Sequence, residues 1–226
     1  MQADSISAIV PTLNEERSLL KTLERLAPEV DELLVVDGGS LDGTATVAER
    51  NGARVLHSMP GRGVQLQRGA EEASGSILWF VHADTLVPRG AGGRIRAAIC
   101  LGYEAGAFAV EFHAPGWRYR LGSLLATSRT RWGGLALGDQ AIFVTRRCFF
   151  EVGGYPPWPL FEDVSLWRKL KRKTRTVLLE PPVITSARRF EKLGPLRTVF
   201  VNWALLLLYH FGVSPHRLAR WYRSYR

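Results

Sequence analysis

The chain has 226 residues, 46% of them hydrophobic, which is enough for one sizeable α/β domain with a small appendage. Its two cysteines, Cys100 and Cys148, stand far apart with no metal-ligand spacing, which argues against a disulfide framework and for a reducing cytoplasm. The net charge of +9 is unevenly placed: residues 1–167 hold 16 Lys/Arg and 19 Asp/Glu, whereas residues 168–226 hold 14 and 2. A near-neutral body thus carries a basic C-terminal segment, which suits a polyanionic partner, a membrane surface or a solvated basic face. The opening "MQADSISAIV" has no basic leader before a long apolar run, so a secretory signal is not expected.

In chain order, "SAIV" (7–10) reads as a strand broken at Pro11, with Asn14 placed to cap a helix whose Leu19, Leu20, Leu23 and Leu26 share one face. "DELLVVDGGS" is a second buried strand, "LDGTATVAERNG" a short helix stopped by Gly52, and "ARVLHS" a third strand. "GRGVQLQRGAEEASG" gives another helix and "SILWFVHAD" a fourth strand. This βαβαβαβ alternation predicts a Rossmann-like, mainly parallel sheet with helices on both faces. Ligands of such sheets bind beyond the carboxyl ends of the strands, where Pro11 to Glu15, Asp37 and Asp84 fall. Further on, "YEAGAFAVEFH" and "GDQAIFVTRR" read as strands, and "WRYRLGSLLATSRTRW" and "FEDVSLWRKLKRK" as helices. "TRTVLLE" and "PVITSA" follow as two more strands, and residues 196–211 and 214–226 as C-terminal helices.

Several carboxylates sit where chemistry is done. Asp37, at a strand end before Gly38-Gly39, can accept hydrogen bonds from a nucleobase or ribose, or close an Asx turn. Asp42, ahead of Gly43-Thr44, reads better as a cap for the next helix. No G-x-G-x-x-G or Walker pattern follows the first strand, which speaks against a dinucleotide-dependent dehydrogenase. Arg62 and Arg68 could contact phosphate or lie on the surface. Asp84, with His82 two residues before it, could share a Mg²⁺ or Mn²⁺ ion with substrate phosphates. Glu162-Asp163 opens a helix, where the terminus favours ionised forms; one carboxylate there could be a general base for an attacking hydroxyl, or both could be caps.

The ordered set Pro11-Thr12-Leu13-Asn14-Glu15, Val36-Asp37-Gly38-Gly39-Ser40 with Asp42-Gly43-Thr44, His82-Ala83-Asp84 and Glu162-Asp163 strongly resembles the family 2 inverting glycosyltransferases of the GT-A type. Gly61-Arg62-Gly63 and "PLFEDVSLW" look like a small soluble bacterial subgroup. The resemblance implies a GT-A domain over residues 1–190 and a basic, apolar segment over 191–226. It implies that Pro11, Thr12, Asn14 and Glu15 with Asp37 and Gly38 bind the nucleotide, Asp37 at the base and Glu15 nearer the ribose. Arg62, Ala83 and Asp84 would adjoin the donor diphosphate, Asp84 would touch the Mn²⁺ or Mg²⁺ ion, and Asp163 would be the base beside Glu162. Gly138-Asp139-Gln140 matches a family segment bordering the sugar and acceptor pocket. Two departures stand out. His82 replaces the first carboxylate of the D-x-D motif, leaving fewer hard oxygen ligands. "SARRF" (186–190) stands where processive members carry Q-x-x-R-W; only Arg189 is kept, which implies transfer of a single sugar, with Arg189 near phosphate or acceptor.

The C-terminal segment adds "TVFVNWALLLLY", about twelve uncharged residues and too short for a spanning helix of roughly 20. It reads as a buried packing helix or a surface element. After it, Leu218, Trp221, Tyr222 and Tyr225 alternate with Arg217, Arg220, Arg223 and Arg226, which suits the headgroups of an anionic membrane and a lipid-linked acceptor. Two other readings compete. A sugar-phosphate nucleotidyltransferase would want a Gly-rich basic loop after strand one, where this chain has Pro-Thr-Leu-Asn-Glu. A nucleic-acid-binding module could use the basic tail, but it leaves the carboxylates at the element ends without a role, so no nucleic-acid partner is expected.

Overall fold

The computed structural model describes residues 4–113, 117–131, 134–186 and 194–223. Strands β1 (Ile6–Thr12), β2 (Glu32–Asp37), β3 (Arg54–His57) and β4 (Ile77–Phe80) are linked by helices α1 (Glu16–Leu26), α2 (Thr44–Arg50) and α3 (Arg62–Glu72). They pair in parallel in the order β3-β2-β1-β4, because each crossover helix returns the chain to the same end of the sheet. There follow β5 (Thr85–Leu86), α4 (Ala91–Cys100), β6 (Ala105–His113), α5 (Trp117–Arg131), β7 (Phe143–Thr145), α6 (Arg146–Glu151), α7 (Glu162–Lys173) and β8 (Thr176–Ser186). Helices α8 (Pro195–His210) and α9 (Pro215–Arg223) come last among the described residues. β7 lies antiparallel between β4 and β6, β8 pairs parallel with β6, and β5 pairs antiparallel with β8.

Alternation along the strands divides the core into two layers. Ile6, Ala8, Val10, Val35, Ile77 and Trp79 face one side with Leu19 and Leu23 of α1 and Ile95 of α4. Ile9, Leu34, Val36, Leu78 and Phe80 face the other with Leu66 of α3, Phe149 of α6 and Trp167 of α7. The sheet is therefore covered on both faces, as the near-continuous apolar runs of its central strands require.

Several local expectations give way to tertiary context. β1 does not stop at Pro11 but pairs with β2 as far as Thr12 and Asp37. Ile9 O accepts from Val81 on the β4 side, and by alternation Pro11 faces that same side, where the pairing with β4 has already ended at Phe80. Its missing N–H thus falls where no ladder bond is needed. Asn14 is not the helix cap: it is left-handed (φ 56°), and α1 begins two residues later. "GDQAIFVTRR" is strand only at Phe143–Thr145, since Gly138–Gln140 forms a 3₁₀ turn and Arg146 opens α6 behind the capping Thr145. The two expected strands after α7 are one, β8, with a shift in register opposite Phe108 and Val110. α4, α6 and the two-residue β5 were not foreseen, being short or weakly periodic.

Gly69 lets α3 approach the sheet: a Cβ there would lie 2.4 Å from Ile9 Cγ2 and 2.9 Å from Val36 Cγ2. Gly93, within α4, has open space around that position. Gly69→Ala should therefore destabilise the protein by about 1–3 kcal/mol through overpacking, whereas Gly93→Ala should be neutral or gain up to about 1 kcal/mol. Urea unfolding of the two variants checks the opposite signs.

Candidate active site

β1, β2 and β4 run in parallel, so the loops that follow them open on one rim of the sheet. Two groups of polar side chains assemble there. The first surrounds Asp37, which is 3% exposed at the end of β2. Its Oδ2 accepts from the N–H groups of Gly39 (3.1 Å) and Ser40 (2.9 Å). Its Oδ1 accepts from the hydroxyls of Ser40 and, at 3.3 Å, Thr12. Burial opposes the charge, but these donors outweigh it and hold the carboxyl below the usual aspartate range. Asp37 thus closes the Asx turn that its sequence allows, at the strand-end rim. Asn14 ties the neighbouring loops together, its N–H donating to Ser40 Oγ (2.9 Å) and its Oδ1 accepting from Leu41 N–H (2.8 Å). Glu15 N–H donates to Thr44 Oγ1 (2.9 Å), and Glu15 Oε2 accepts from Ser18 (2.6 Å). Asp42 takes the N–H and hydroxyl of Thr44 at the opening of α2, as its capping role predicts. A cleft of about 370 Å³ opens between Asn14, Glu15, Glu16, Arg17 and Asp42.

The second group gathers where β4, α3 and α7 meet. Gly138 N–H donates to Asp163 Oδ2 (2.6 Å), and Val164 N–H lies 2.7 Å from Asp163 Oδ1. A Cβ on Gly138 would lie 2.9 Å from His82 Nε2 and 3.3 Å from Asp163 Oδ2, so imidazole and carboxylate flank the same bare backbone. The His82 loop is anchored by Thr22, whose hydroxyl donates to the carbonyl of the buried Ala83 (2.9 Å). Arg62 Nη1 lies 3.6 Å from Glu162 Oε1. Burial disfavours the Arg62 charge, but Glu162, Asp163, Tyr222 and Asp84 more than restore it. Glu162 is 2% exposed. Burial first, and the adjacent Asp163 second, push its carboxyl up to about 7 against the pull of Arg62. The helix terminus favours ionisation of both acids, and at Glu162 it loses to desolvation.

Gln65 joins the two groups, though no sequence pattern singles it out. From the buried side of α3 its Nε2 donates to Thr12 O and Val36 O, each at 2.8 Å, while its Oε1 accepts from Gly61 N–H at 3.4 Å. The start of α3, with Arg62, is thereby fixed to the ends of β1 and β2. Tyr155 was also missed. Its ring meets Phe80 edge-on at 4.9 Å, and burial, then Asp163 and Glu162, raise its hydroxyl well above the usual tyrosine range. Phe161, just before the acidic pair, is left-handed (φ 64°) and its ring lies 5.0 Å from that of Tyr209 on α8.

One expected residue stands apart from the rim. Gln140 points inward and is fully buried. Its Oε1 accepts from Thr130 (2.7 Å) and Leu137 N–H (3.2 Å), and its Nε2 donates to Phe108 O (3.1 Å). It shapes the 138–140 turn, leaving Gly138 as the member that meets Asp163. Arg189 lies outside the described residues. A larger cavity, about 560 Å³, opens among Asp4, Ser76, Ile99 and Thr145 at the opposite ends of the strands, away from these carboxylates.

The profile described as glycosyl transferase family 2 matches residues 7–133, more than half of the chain. Glucosyl-3-phosphoglycerate synthase of Mycobacterium tuberculosis is 35% identical over 97 residues, 37% of this chain and 30% of that protein, so the chain spans about a third of that relative's length. The same synthase in complex with Mn²⁺, UDP and glucosyl-3-phosphoglycerate superposes with a TM-score of 0.58 at 22% identity, covering 80% of this chain and 70% of that one. S. aureus TarS 1-349 gives a TM-score of 0.64 at 19% identity, over 81% and 60% of the two chains. The mannosyltransferase PcManGT from Pyrobaculum calidifontis, solved with GDP-Man and Mn²⁺, gives 0.61 at 21% identity, over 80% and 56%. These superpositions show a shared fold. Joined to the profile match across the strand-end motifs, they place the chain plainly: it belongs to glycosyl transferase family 2 and has a GT-A-type fold.

Proposed function

We propose that this protein transfers one sugar, non-processively and with inversion, from a uridine- or guanosine-diphosphate sugar to a hydroxyl acceptor. The observation that carries the reading is that His82 and Asp163 flank Gly138 while Arg62 meets Glu162 and feels the charges of Asp163 and Asp84, on the rim where α/β sheets bind ligands. The relatives solved with UDP or GDP-Man support the donor class. A lipid-linked acceptor and a peripheral position on the inner membrane face account for the basic, apolar residues 191–226 appended to the 1–190 transferase domain.

Asp163 takes the proton of the acceptor hydroxyl. That oxygen bonds to the anomeric carbon from the side opposite the diphosphate, the carbon–oxygen bond to phosphate breaks, and the nucleoside diphosphate leaves. The Gly138 and Val164 N–H groups fix the orientation of the carboxylate. A proton held on Glu162 near neutrality lessens the repulsion between the two neighbouring acids. Arg62 offers positive charge to the departing phosphates. Asp37, Gly38, Thr12, Pro11, Asn14 and Glu15 hold the nucleoside end. Asp84 with His82 suits a Mn²⁺ or Mg²⁺ ion that arrives with the diphosphate, since the described residues hold no group of three His, Cys, Asp or Glu able to retain an ion unaided. Such an ion supplies electrostatic stabilisation of the leaving group.

Screening UDP, GDP and their sugars by thermal shift, with and without Mn²⁺ or Mg²⁺, should give metal-dependent stabilisation by one nucleotide; no shift with any of them refutes the donor site. Asp163→Asn should cut turnover about 10²–10⁴-fold while preserving that shift. A merely structural Asp163 would instead show lowered stability with turnover largely kept. Glu162 binds its proton more tightly folded than unfolded, so its contribution to stability is greatest at low pH. It falls as pH rises from the usual 4.5 towards about 7 and levels off above that. Glu162→Gln should remove a slope amounting to roughly 3 kcal/mol at most over that window, read from urea unfolding at a series of pH values.

A further inference from the structure

Two neighbouring helices leave rows of large apolar side chains outside the fold. On α8, Phe200 is 74% exposed, Trp203 55% and Leu207 58%. Their spacing of three and four residues puts them on one face. On α5, which packs against α8, Leu124 is 65% exposed and Leu125 48%. α9 follows against α8 and turns Leu218 fully inward, so the face expected from its sequence is not formed; Trp221 remains outside at 52%. The exposed apolar surface therefore belongs chiefly to α5 and α8, not to the terminal arginine-rich helix.

These elements themselves carry charge of one sign, although Glu180 of β8 pairs with Arg131 at 3.2 Å. Neither α5 nor the stretch from 194 to 223 contains a single Asp or Glu, while they carry Arg118, Arg120, Arg129, Arg131, Arg197, Arg217, Arg220 and Arg223. Arg120, Arg217 and Arg220 form no ion pair among the described residues. A second copy of this chain would bring the same positive field to such a contact and be repelled, whereas an anionic surface would be drawn to it. No helix of the described residues is long and apolar enough to cross a membrane. Apolar rows bordered by arginines match the boundary between headgroups and acyl chains, where Trp and Phe immerse and guanidinium groups meet lipid phosphates.

We propose that α5 and α8 together form the docking face of this protein on an anionic phospholipid bilayer, with Arg217 and Arg220 of α9 as electrostatic contacts. This deepens the membrane reading given above and rests on it. It also sets the face relative to the chemistry. The side of α8 that carries Tyr209 meets Trp158 and Phe161, with ring centroids at 6.4 and 5.0 Å, and Arg168 lies 5.1 Å above the same ring. The docking face thus stands on the far side of the helix that braces the Glu162-Asp163 turn, close to where a hydroxyl borne by a lipid must arrive.

The test is co-sedimentation of the full chain with phosphatidylcholine vesicles, with and without phosphatidylglycerol, at low and high salt. Binding to the anionic vesicles alone, weakened by salt, is expected. Three double variants, Phe200→Ser with Trp203→Ser, Leu124→Ser with Leu125→Ser, and Arg217→Glu with Arg220→Glu, should each weaken it about tenfold or more. All six positions are solvent-facing, so unchanged melting temperature and unchanged nucleotide-induced thermal shift verify that each variant is folded. Failure of the wild type to bind, or full binding by the α5 variant, overturns the proposal. So does a wild-type dimer in light scattering that the α8 variant dissociates, or salt-sensitive retention of RNA without vesicle binding. In each of these cases an intact nucleotide shift leaves the transferase reading standing, whereas loss of that shift in the wild type counts against the transferase reading itself.

Discussion

Two carboxylates placed side by side in a buried helix turn repel each other, and water is not there to screen them. Glu162 and Asp163 are in that position, and much of the surrounding architecture deals with their charge. Arg62 comes from the start of α3, the Gly138 N–H from the loop before β7, and the helix dipole from α7 itself. The result is unequal: Asp163 receives backbone donors, while Glu162 is pushed towards neutrality. The two neighbouring acids thus sit in unlike surroundings, as the proposed division of roles between them requires.

That arrangement depends on the sheet. Parallel strands deliver their following loops to one rim, and α3 is pinned there twice, by Gly69 lying close against Ile9 and by Gln65 reaching the carbonyls at the ends of β1 and β2. The backbone from which Arg62 reaches Glu162 is therefore tied to the ends of β1 and β2. The left-handed Phe161 aims the acidic turn inward, a conformation that costs a non-glycine residue about 1 kcal/mol and is held by the Tyr209 ring.

The architecture of the first half was legible because its signals are local: apolar runs, alternation of strand and helix, and carboxylates at strand ends. The order of the motifs carried the family as well. What stayed hidden depends on contacts between distant segments. Pro11 reads as a breaker until β4 is known to end beside it. Gln140 looks like a pocket residue in its Gly-Asp-Gln run, yet Thr130 and Phe108, from other elements, draw its amide inside. Gln65 belongs to no motif, since its partners are backbone carbonyls that carry no sequence signature. The tail misled for a related reason: periodicity grouped Leu218 with Trp221, but packing on α8 buried one and left the other outside.

The hydrogen bonding of Asp37 has a further consequence. A carboxylate offers about four acceptor positions, and Thr12, Gly39 and both donors of Ser40 occupy them. The loop is thus held by its own bonds. An incoming N–H or O–H that reaches Asp37 must exchange with a donor already there, and the net gain in affinity from such an exchange is small. The discrimination is not small, because a ligand that displaces Ser40 and offers no donor leaves a buried charge undersolvated. If Asp37 receives the nucleoside as proposed, it serves to reject the wrong partner more than to hold the right one tightly.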